Sequence, residues 1–301
     1  MSTISARVRP FERWDDLGAM QAVCTARLLA EPGRAVAHPG DIAWLAGWPP
    51  RSVEQLAEVF LLWEEDDEVL GFASFDPRDG YFSTFVMPHL KQTDAEVAFE
   101  EAALGWATRD NTPLLWFEFE DELEAVQRWR DRGFRPAGSG LVNLTRSLED
   151  VATDGESDVR VQPVTDVDVE DRASITHAAF ENEKPFAQYA ADYAEFRSSP
   201  AYPHGCDLLL RDPNGRAASC CITWMDPVSK AGTFEPVATH PDLHRQGFGT
   251  ALLREGLRRF AAAGMSYVII GADVNNPGSQ ALYRSVGFLP DRTLRDHERP
   301  R

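Results

Sequence analysis

The sequence predicts a mixed α/β protein in which one plan occurs twice, each time as a mostly antiparallel sheet flanked by helices. Strand-like and helix-like segments follow in the same order in both halves. Residues 150–158 are acidic and lack apolar periodicity, as exposed linkers do. We therefore expect domains at residues 1–149 and 159–301, each of ordinary size. Four segments recur in order at spacings of 150 to 154 residues: Arg7-Val8-Arg9-Pro10 and Arg160-Val161-Gln162-Pro163, Asp76-Pro77 and Asp226-Pro227, Pro88 and Pro241, and Gly133-Phe134 and Gly287-Phe288.

The secondary structure of the second half can be read from its apolar periodicity and its turn residues. The third predicted helix carries an apolar face, and Gly264 is placed to end it. We expect the charged tail at 292–301 to fray. The predicted helices are 168–180, 186–196, 247–263 and 277–286, and the predicted strands are 207–211, 217–225, 232–239 and 267–271. The corresponding strands of the first half are predicted near 60–64, 71–75, 82–86 and 114–118.

The composition is that of a globular protein with enough apolar material for two cores. Of 301 residues, 43% are hydrophobic and 26% are charged. The formal net charge of -18 would repel nucleic-acid phosphates, so we expect no nucleic-acid partner. This acidity would also favour a cationic substrate weakly, although solubility is the simpler explanation.

The cysteines and the N-terminal segment indicate a cytoplasmic protein. Cys24, Cys206, Cys220 and Cys221 form no C-x-x-C pair and have no histidine at zinc spacing, so we expect no metal. We interpret them as reduced, with Cys220 and Cys221 on opposite faces of a strand. Residues 1–14 lack the apolar core of a secretory signal, and no apolar run is long enough to span a membrane. We expect no membrane partner, and a monomer or a homodimer.

The most informative segment is the turn that joins the strand 232–239 to the following helix. Gly247-Phe248-Gly249 opens that helix, whose first turn offers unpaired N–H groups and the positive end of the helix dipole. Glycines allow an anion to approach the backbone closely, so the turn is typical of a phosphate site. It matches neither the dinucleotide fingerprint G-x-G-x-x-G nor a P-loop. A tight turn with close helix packing is the alternative for a lone G-x-G.

Two motifs resemble the GCN5-related N-acetyltransferase (GNAT) superfamily, over about residues 160–290. His244-Arg245-Gln246-Gly247-Phe248-Gly249 is similar to its R/Q-x-x-G-x-G/A loop, with His244 where arginine or glutamine is usual. Residues 276–288 are similar to its second signature, N-x-x-A/S-x-x-L-Y-x-x-x-G-F. Because the loop works largely through backbone N–H groups, we expect binding to survive the change at His244.

The resemblance implies direct transfer of an acetyl group from acetyl-CoA to a primary amine of a small molecule. The amides of residues 246–250 would hold the pyrophosphate, and the strand at 237–239 would pair with the pantetheine arm. The amide of Val237 or Ala238 would stabilise the oxyanion. The residues expected to contact acetyl-CoA are Val237, Ala238, Thr239, His244, Arg245, Gln246, Gly247, Phe248, Gly249, Thr250, Asn276 and Tyr283.

The candidate catalytic residues are Tyr283 and Glu235. By the resemblance Tyr283 is the general acid for the leaving thiolate; its alternative is a core tyrosine. Glu235 is expected on the same side of its strand as Val237 and Thr239, where it would be the general base or simply a solvent-facing carboxylate. His240 and His204 are weaker base candidates. Asn276 either contacts the cofactor or caps the helix before Pro277, or does both.

The first half is expected to be a degenerate copy. Aligning Pro88 with Pro241 places Asp94 and Glu96 at the two loop glycines, where carboxylates would repel a diphosphate. Aligning the Gly-Phe pairs places Trp129 at the tyrosine position and Glu122 at the asparagine position. We expect one acyl-CoA site per chain, with the first half shaping the substrate pocket. Trp44, Trp48 and Trp63 are candidates for that pocket, or for core packing.

Other functions remain open on the sequence. The chain is alternatively a non-catalytic acyl-CoA sensor, an O-acyltransferase, or an enzyme for a longer acyl donor. The mycothiol synthase group also has two tandem domains with a degenerate first copy, but the strand at 234–239 does not look like its usual strand. The acceptor pocket is expected from the variable region at about 180–204.

Overall fold

The computed structural model describes residues 7–34, 36–109, 112–153 and 160–300. Most of the predicted linker, residues 154–158, lies outside the described residues. The helices are α1 Asp15–Ala30, α2 Pro39–Gly47, α3 Val53–Val59, α4 Asp94–Ala107, α5 Leu123–Asp131, α6 Val169–Ala179, α7 Phe186–Arg197, α8 Phe248–Ala262 and α9 Pro277–Ser285. Short 3-10 turns lie at Pro88–Leu90, Asp166–Asp168 and Pro241–Leu243. The strands are β1 Arg7–Pro10, β2 Phe60–Glu65, β3 Glu68–Phe75, β4 Tyr81–Val86, β5 Leu114–Phe119, β6 Arg135–Ser147, β7 Val161–Pro163, β8 Asp207–Arg211, β9 Ala217–Asp226, β10 Ala231–Thr239, β11 Tyr267–Asp273 and β12 Leu289–Arg299.

The described strands form one sheet in the order β1-β2-β3-β4-β5-β12-β6-β11-β10-β9-β8-β7. The two halves run inward from opposite edges, and most neighbours are antiparallel. The pairs β4–β5 and β10–β11 are parallel. At the centre the last strands are exchanged: β12 lies beside β5, and β6 lies beside β11. The predicted mixed α/β class with two similar halves is confirmed, but the two predicted sheets are joined into one.

The expectation that residues 292–301 fray is wrong for the described part of the tail. β12 is a central strand that pairs with β5 on one side and β6 on the other. Backbone pairing does not depend on side-chain polarity, and two of the charges find partners in the turn that follows β5. Arg292 bonds Asp121 through Nε–Oδ1 at 2.8 Å, and Arg295 Nε lies 2.9 Å from Glu120 Oε2. Leu294 and His297 are buried.

Helices cover both faces of the sheet. On one face, α1, α2, α6 and α7 share a single apolar core that joins the two halves. On the other face, α4 and α5 pack over the first half and α8 and α9 over the second, in separate cores. Cys220 belongs to the shared core and Cys221 to the α8–α9 core, so these neighbours do point to opposite faces. All four cysteines are free.

Helix α2 of the first half is anchored on the sheet of the second half. Gly40 lies so close to β9 that a Cβ there would come 2.3 Å from the Cβ of Trp224. The fully buried His38 accepts a hydrogen bond from Gly40 N at its Nδ1, which leaves the proton on Nε2 to bond Ala231 O at 3.2 Å. Burial lowers the pKa of His38 to about 4, so this imidazole is neutral.

None of the described helices has both the length and the apolar character that crossing a lipid bilayer would require.

Candidate active site

Strands β10 and β11 are paired over only three residues and then part. Ala231 to Thr233 of β10 pair with Tyr267 to Ile269 of β11. The register of β10 shifts between Phe234 and Val237, where Pro236 has no N–H to give to a ladder. The edge of β10 that faces β11 is therefore open beyond this bulge.

The hydrogen-bond pattern decides which amides of β10 face the opening. His240 N donates to Ala218 O of β9 at 2.9 Å. Residues of an antiparallel strand alternate in the direction of their N–H groups, so Ala238 also faces β9 while Val237 and Thr239 face away. Of the two amides expected to stabilise an oxyanion, the one directed to the open side is that of Val237.

The N-terminus of α8 is uncapped beside this opening. Among the residues that the structure describes, no side chain accepts a bond from its first turn, and the first helical bond runs from Ala251 N to Gly247 O at 3.0 Å. The preceding N–H groups are left for solvent or an anion. Gly247 has φ of 85°, and a Cβ there would meet open space. At Gly249 a Cβ would lie 3.1 Å from Thr239 Oγ1, so this glycine permits close packing of α8 on β10.

The other residues of the loop have distinct positions. His244 Nε2 lies 2.9 Å from Thr239 O, so its ring ties the loop to the end of β10. Gln246 Nε2 donates to Asp242 O at 3.3 Å. Arg245 is in the left-handed region, with φ of 60°, and is exposed.

A cavity of about 580 Å³ lies between this loop, the end of β10 and α9; we call it the α8–α9 cavity. It brings together most of the sequence-predicted cofactor contacts, with Gln246 as the exception. Ala179 and Phe180 line it as well. Asn276 reaches it and also caps α9, accepting a bond from Ser279 N at 3.0 Å. The predicted residues that line it are Val237, Ala238, Thr239, His244, Arg245, Gly247, Phe248, Gly249, Thr250, Asn276 and Tyr283.

Tyr283 forms part of the wall of the α8–α9 cavity and is 7% exposed. Its burial, with the nearby Glu235 carboxyl and Cys221, raises the pKa of the phenol well above its usual range. The hydroxyl therefore carries its proton at neutral pH. The position and the protonation state suit a group that donates a proton.

Glu235 lies at the bulge and lines a different cavity from Val237 and Thr239. This second cavity, of about 340 Å³, lies between the two halves of the chain; we call it the interface cavity. The expectation that the three residues share one side is wrong, because the register shift breaks the alternation of β10. Burial, and then the charge of Asp41, raise the pKa of Glu235 to about 8.

The sequence did not single out Asp41, which also lines the interface cavity. It lies in the first turn of α2 and accepts a bond from His38 N at 2.7 Å. Burial raises the pKa of Asp41 to about 6. The pattern His38-Pro39-Gly40-Asp41 marks a helix start, but nothing in the sequence pairs that helix with residue 235.

Other sequence candidates lie elsewhere. His240 receives bonds from Arg216 and Asp242 N, and His204 lines a surface groove beside α6 and α7. Of the three tryptophans, Trp44 lines the interface cavity, whereas Trp48 stacks on Trp44 and Trp63 stacks on Phe99. No residue from 180–204 lines the interface cavity.

The equivalent place in the first half is filled. The corresponding space measures about 30 Å³. Helix α4 is capped from within: Thr93 Oγ1 accepts a bond from Glu96 N, and the Glu96 carboxylate accepts one from Gln92 N at 2.7 Å. Arg128 and Arg132 then pair with the buried Glu100 at 2.9 and 2.7 Å. Trp129 is 1% exposed and occupies the place on α5 that Tyr283 has on α9.

Comparison with known proteins agrees with this geometry. Residues 171–288 match the model of the acetyltransferase (GNAT) family. A mycothiol acetyltransferase of Clavibacter michiganensis subsp. michiganensis is 33% identical over 81 residues, which are 27% of this chain and 26% of that protein. The match thus spans about a quarter of that relative.

Two solved structures resemble nearly the whole chain. A GCN5-related N-acetyltransferase from Sphaerobacter thermophilus has a TM-score of 0.62 and 16% identity, with 97% of this chain and 95% of that chain covered. A tandem GNAT protein from the clavulanic acid biosynthesis pathway has a TM-score of 0.63 and 15% identity, with 98% of each chain covered. At such identities the likeness shows the fold. The similarity to the GNAT acetyltransferase family thus covers residues 171–288, and the chain as a whole shares the fold of a tandem GNAT protein.

Proposed function

We propose that this protein is an N-acetyltransferase that moves an acetyl group from acetyl-CoA directly to a primary amine of a small molecule. The observation that carries the proposal is the uncapped N-terminus of α8 at the open edge of β10, in a cavity walled by Tyr283. The loop amides would hold the pyrophosphate, and the strand edge would pair with the pantetheine amides.

The described side chains suit both proton transfers of the reaction. Glu235 takes a proton from the attacking amine, and Tyr283 gives its proton to the leaving thiolate as the acyl carbon exchanges sulfur for nitrogen. The amide of Val237 bonds the developing oxyanion. No covalent enzyme intermediate is required, because the amine attacks the thioester carbon directly and the thiolate of CoA leaves.

We also propose that residues 1–149 and 159–301 are two related units joined at 150–158, of which only the second binds acetyl-CoA. The ion-pair cluster around Glu100 and the internal capping of α4 support this division of labour. Titration of the whole chain with acetyl-CoA in a calorimeter should give one site; two sites would overturn the degenerate-copy part of the proposal.

The binding site is tested by Gly247→Asp and Gly247→Asn. Both side chains tolerate a positive φ and have open space, so they differ mainly in charge. We expect the aspartate to raise the Kd for acetyl-CoA at least tenfold at low salt, by repelling the diphosphate, and the asparagine to change it little. The difference should shrink as salt rises. Equal affinities of the two variants would place the diphosphate elsewhere.

The catalytic role is tested by Tyr283→Phe. We expect kcat to fall by about 100-fold, the lower range for loss of an acid catalyst, while the Kd for acetyl-CoA stays the same. Release of free thiol and calorimetry give the two values. A wild-type protein that binds acetyl-CoA but turns over no acceptor would instead be a sensor, and acetylation of alcohols alone would indicate an O-acyltransferase.

A further inference from the structure

The interface cavity has walls that come from both halves of the chain. Strands β4 and β5 and helix α2 supply one side, and β10 and β11 supply the other. Most of its lining is apolar, with Trp44, Phe85 and Phe117 as aromatic members and Ile42 and Ile269 among the aliphatic ones. Its volume of about 340 Å³ lies at the small end of the range for small-molecule sites.

Three carboxylates line this cavity, and two of them face no cation among the described residues. Asp76 is neutralised by Arg51, at 3.0 Å, and by Arg78. Among the described residues, Asp41 accepts only the bond from His38 N and Glu235 has no ion pair. Partly buried carboxylates such as these normally have a cation or several donors beside them. A cation from outside the chain would complete this pair.

The carboxylate of Asp41 is held in place by the anchoring of α2. The hydrogen bond from His38 to Ala231 O ties the start of α2 to β10. Ala231 lies four residues before Glu235 on that strand. In the same turn of α2, Gly40 lies against Trp224, and Trp224 Nε1 donates to Glu235 O at 2.7 Å. The first half of the chain thus places the Asp41 carboxyl group in the wall of the interface cavity.

An independent observation also points to a ligand. Ser83 of β4 lines the interface cavity, is 4% exposed, and its hydroxyl has no hydrogen-bond partner among the described residues. Leaving a buried hydroxyl unpaired costs stability, so such a group in a cavity is typically satisfied by what binds there.

We infer that the interface cavity binds the acceptor, and that the acceptor is a compact cationic amine with an apolar, aromatic-sized body and no carboxylate. The ammonium group lies between Asp41 and Glu235, and the body packs against Trp44, Phe85 and Phe117. Asp41 is a specificity-determining residue supplied by the first half. The inference rests on the proposed acetyl transfer and names the class of its acceptor.

The acceptor class is tested with probes that share one body. The whole chain, saturated with acetyl-CoA, is given 2-phenylethylamine or phenylalanine, and amide formation is followed by thiol release. We expect kcat/KM for 2-phenylethylamine to exceed that for phenylalanine at least tenfold, because the carboxylate of the amino acid would face two acidic side chains. Equal rates, a preference for phenylalanine, or no reaction with either amine while acetyl-CoA binds would overturn the inference.

The role of Asp41 is tested by Asp41→Asn, with Asp66→Asn as the matched control. Asp66 is exposed in the turn between β2 and β3, away from the cavity. We expect D41N to raise the KM for 2-phenylethylamine at least tenfold and to narrow its advantage over phenylalanine, with the Kd for acetyl-CoA unchanged. D66N should match the wild type in all three values.

The two proposals fail in different ways. If D41N keeps the wild-type KM and the wild-type discrimination, Asp41 does not read the acceptor, although acetyl transfer still stands. If the wild-type chain fails to bind acetyl-CoA, the proposed function itself is wrong. If D41N damages the fold, its affinity for acetyl-CoA should fall as well. In that case Asp41→Glu, which keeps the charge, should restore the preference for 2-phenylethylamine over phenylalanine.

Discussion

At the scale of single residues, the proposed acceptor site contains two carboxyl groups whose pKa values differ. Asp41 and Glu235 are both partly buried, and their pKa values are raised to about 6 and about 8. Between these values the pair carries one negative charge, mostly on Asp41. A cation that enters the interface cavity would lower the pKa of Glu235, so that this carboxyl group releases its proton to solvent and can act as a base.

This arrangement predicts the pH dependence of the reaction. If Glu235 must be ionised, kcat/KM should rise with pH and level off above about pH 8, the pKa of its carboxyl. In Asp41→Asn the negative charge that disfavours ionisation is gone, so the pKa of Glu235 falls and the rise moves to lower pH. The Glu235→Gln variant should show no such rise of kcat/KM with pH. A wild-type rise that persists in the glutamine variant would assign the base to another group.

Residue-scale chemistry was partly visible in the sequence. Gly247, Asn276 and Tyr283 could be chosen as candidates because their motif spacings are local, and all three line one cavity. The side chosen for Glu235 was wrong, because a register shift in a strand leaves no signal in residue spacing. The sequence could not identify Asp41 and Ser83 as site candidates. Both line the interface cavity with residues of β10 and β11, which are more than 100 positions away in the chain.

At the scale of elements, α2 matters more than its nine residues suggest. It belongs to the first half but packs on β9 and β10 of the second, through Gly40 and His38. No amphipathic pattern reveals such a contact, because a buried glycine and a neutral histidine look unremarkable in a sequence. The shared apolar core on this face joins the halves into one packed unit.

The fit of α2 is tested by Gly40→Ala. The new methyl group would collide with Trp224, so we expect a loss of about 1–3 kcal/mol in the free energy of unfolding, the usual cost of overpacking. Gly18→Ala in α1 is the control: a Cβ there meets nothing within 4 Å, and alanine should stabilise that helix by up to about 1 kcal/mol. Denaturant unfolding measures both. If the two variants are equally stable, α2 does not pack on β9 as described.

At the scale of the whole molecule, the two halves are built into one sheet by exchange of their last strands. β6 lies between β12 and β11, and β12 lies between β5 and β6. Neither half has its complete sheet without the other. Measurements on separated halves would therefore confuse binding with folding, and the whole chain is the proper object of study.

The strand exchange predicts that deletion of β12, at the C-terminal end of the chain, disturbs strands of the first half. A chain that ends at Phe288 lacks β12, so the edges of β5 and β6 are left open although both belong to the first half. We expect amides of β5 to lose protection against hydrogen exchange and the protein to aggregate more readily. A chain that ends at Arg299 keeps β12 and serves as the control. Unchanged protection of β5 in the shorter chain would contradict the exchanged topology.

The sequence by itself determined the features that depend on near neighbours in the chain. These are the repeated plan, the positions of most helices and strands, and the loop and helix motifs around Gly247 and Tyr283. Periodicity and turn chemistry are local, so they can be read directly. Only the tertiary structure decided the strand exchange, the bulge that turns Glu235 toward the interface cavity, and the place of Asp41 beside it. Those features arise from contacts between distant segments, whose free energy comes from packing and pairing that no local pattern encodes.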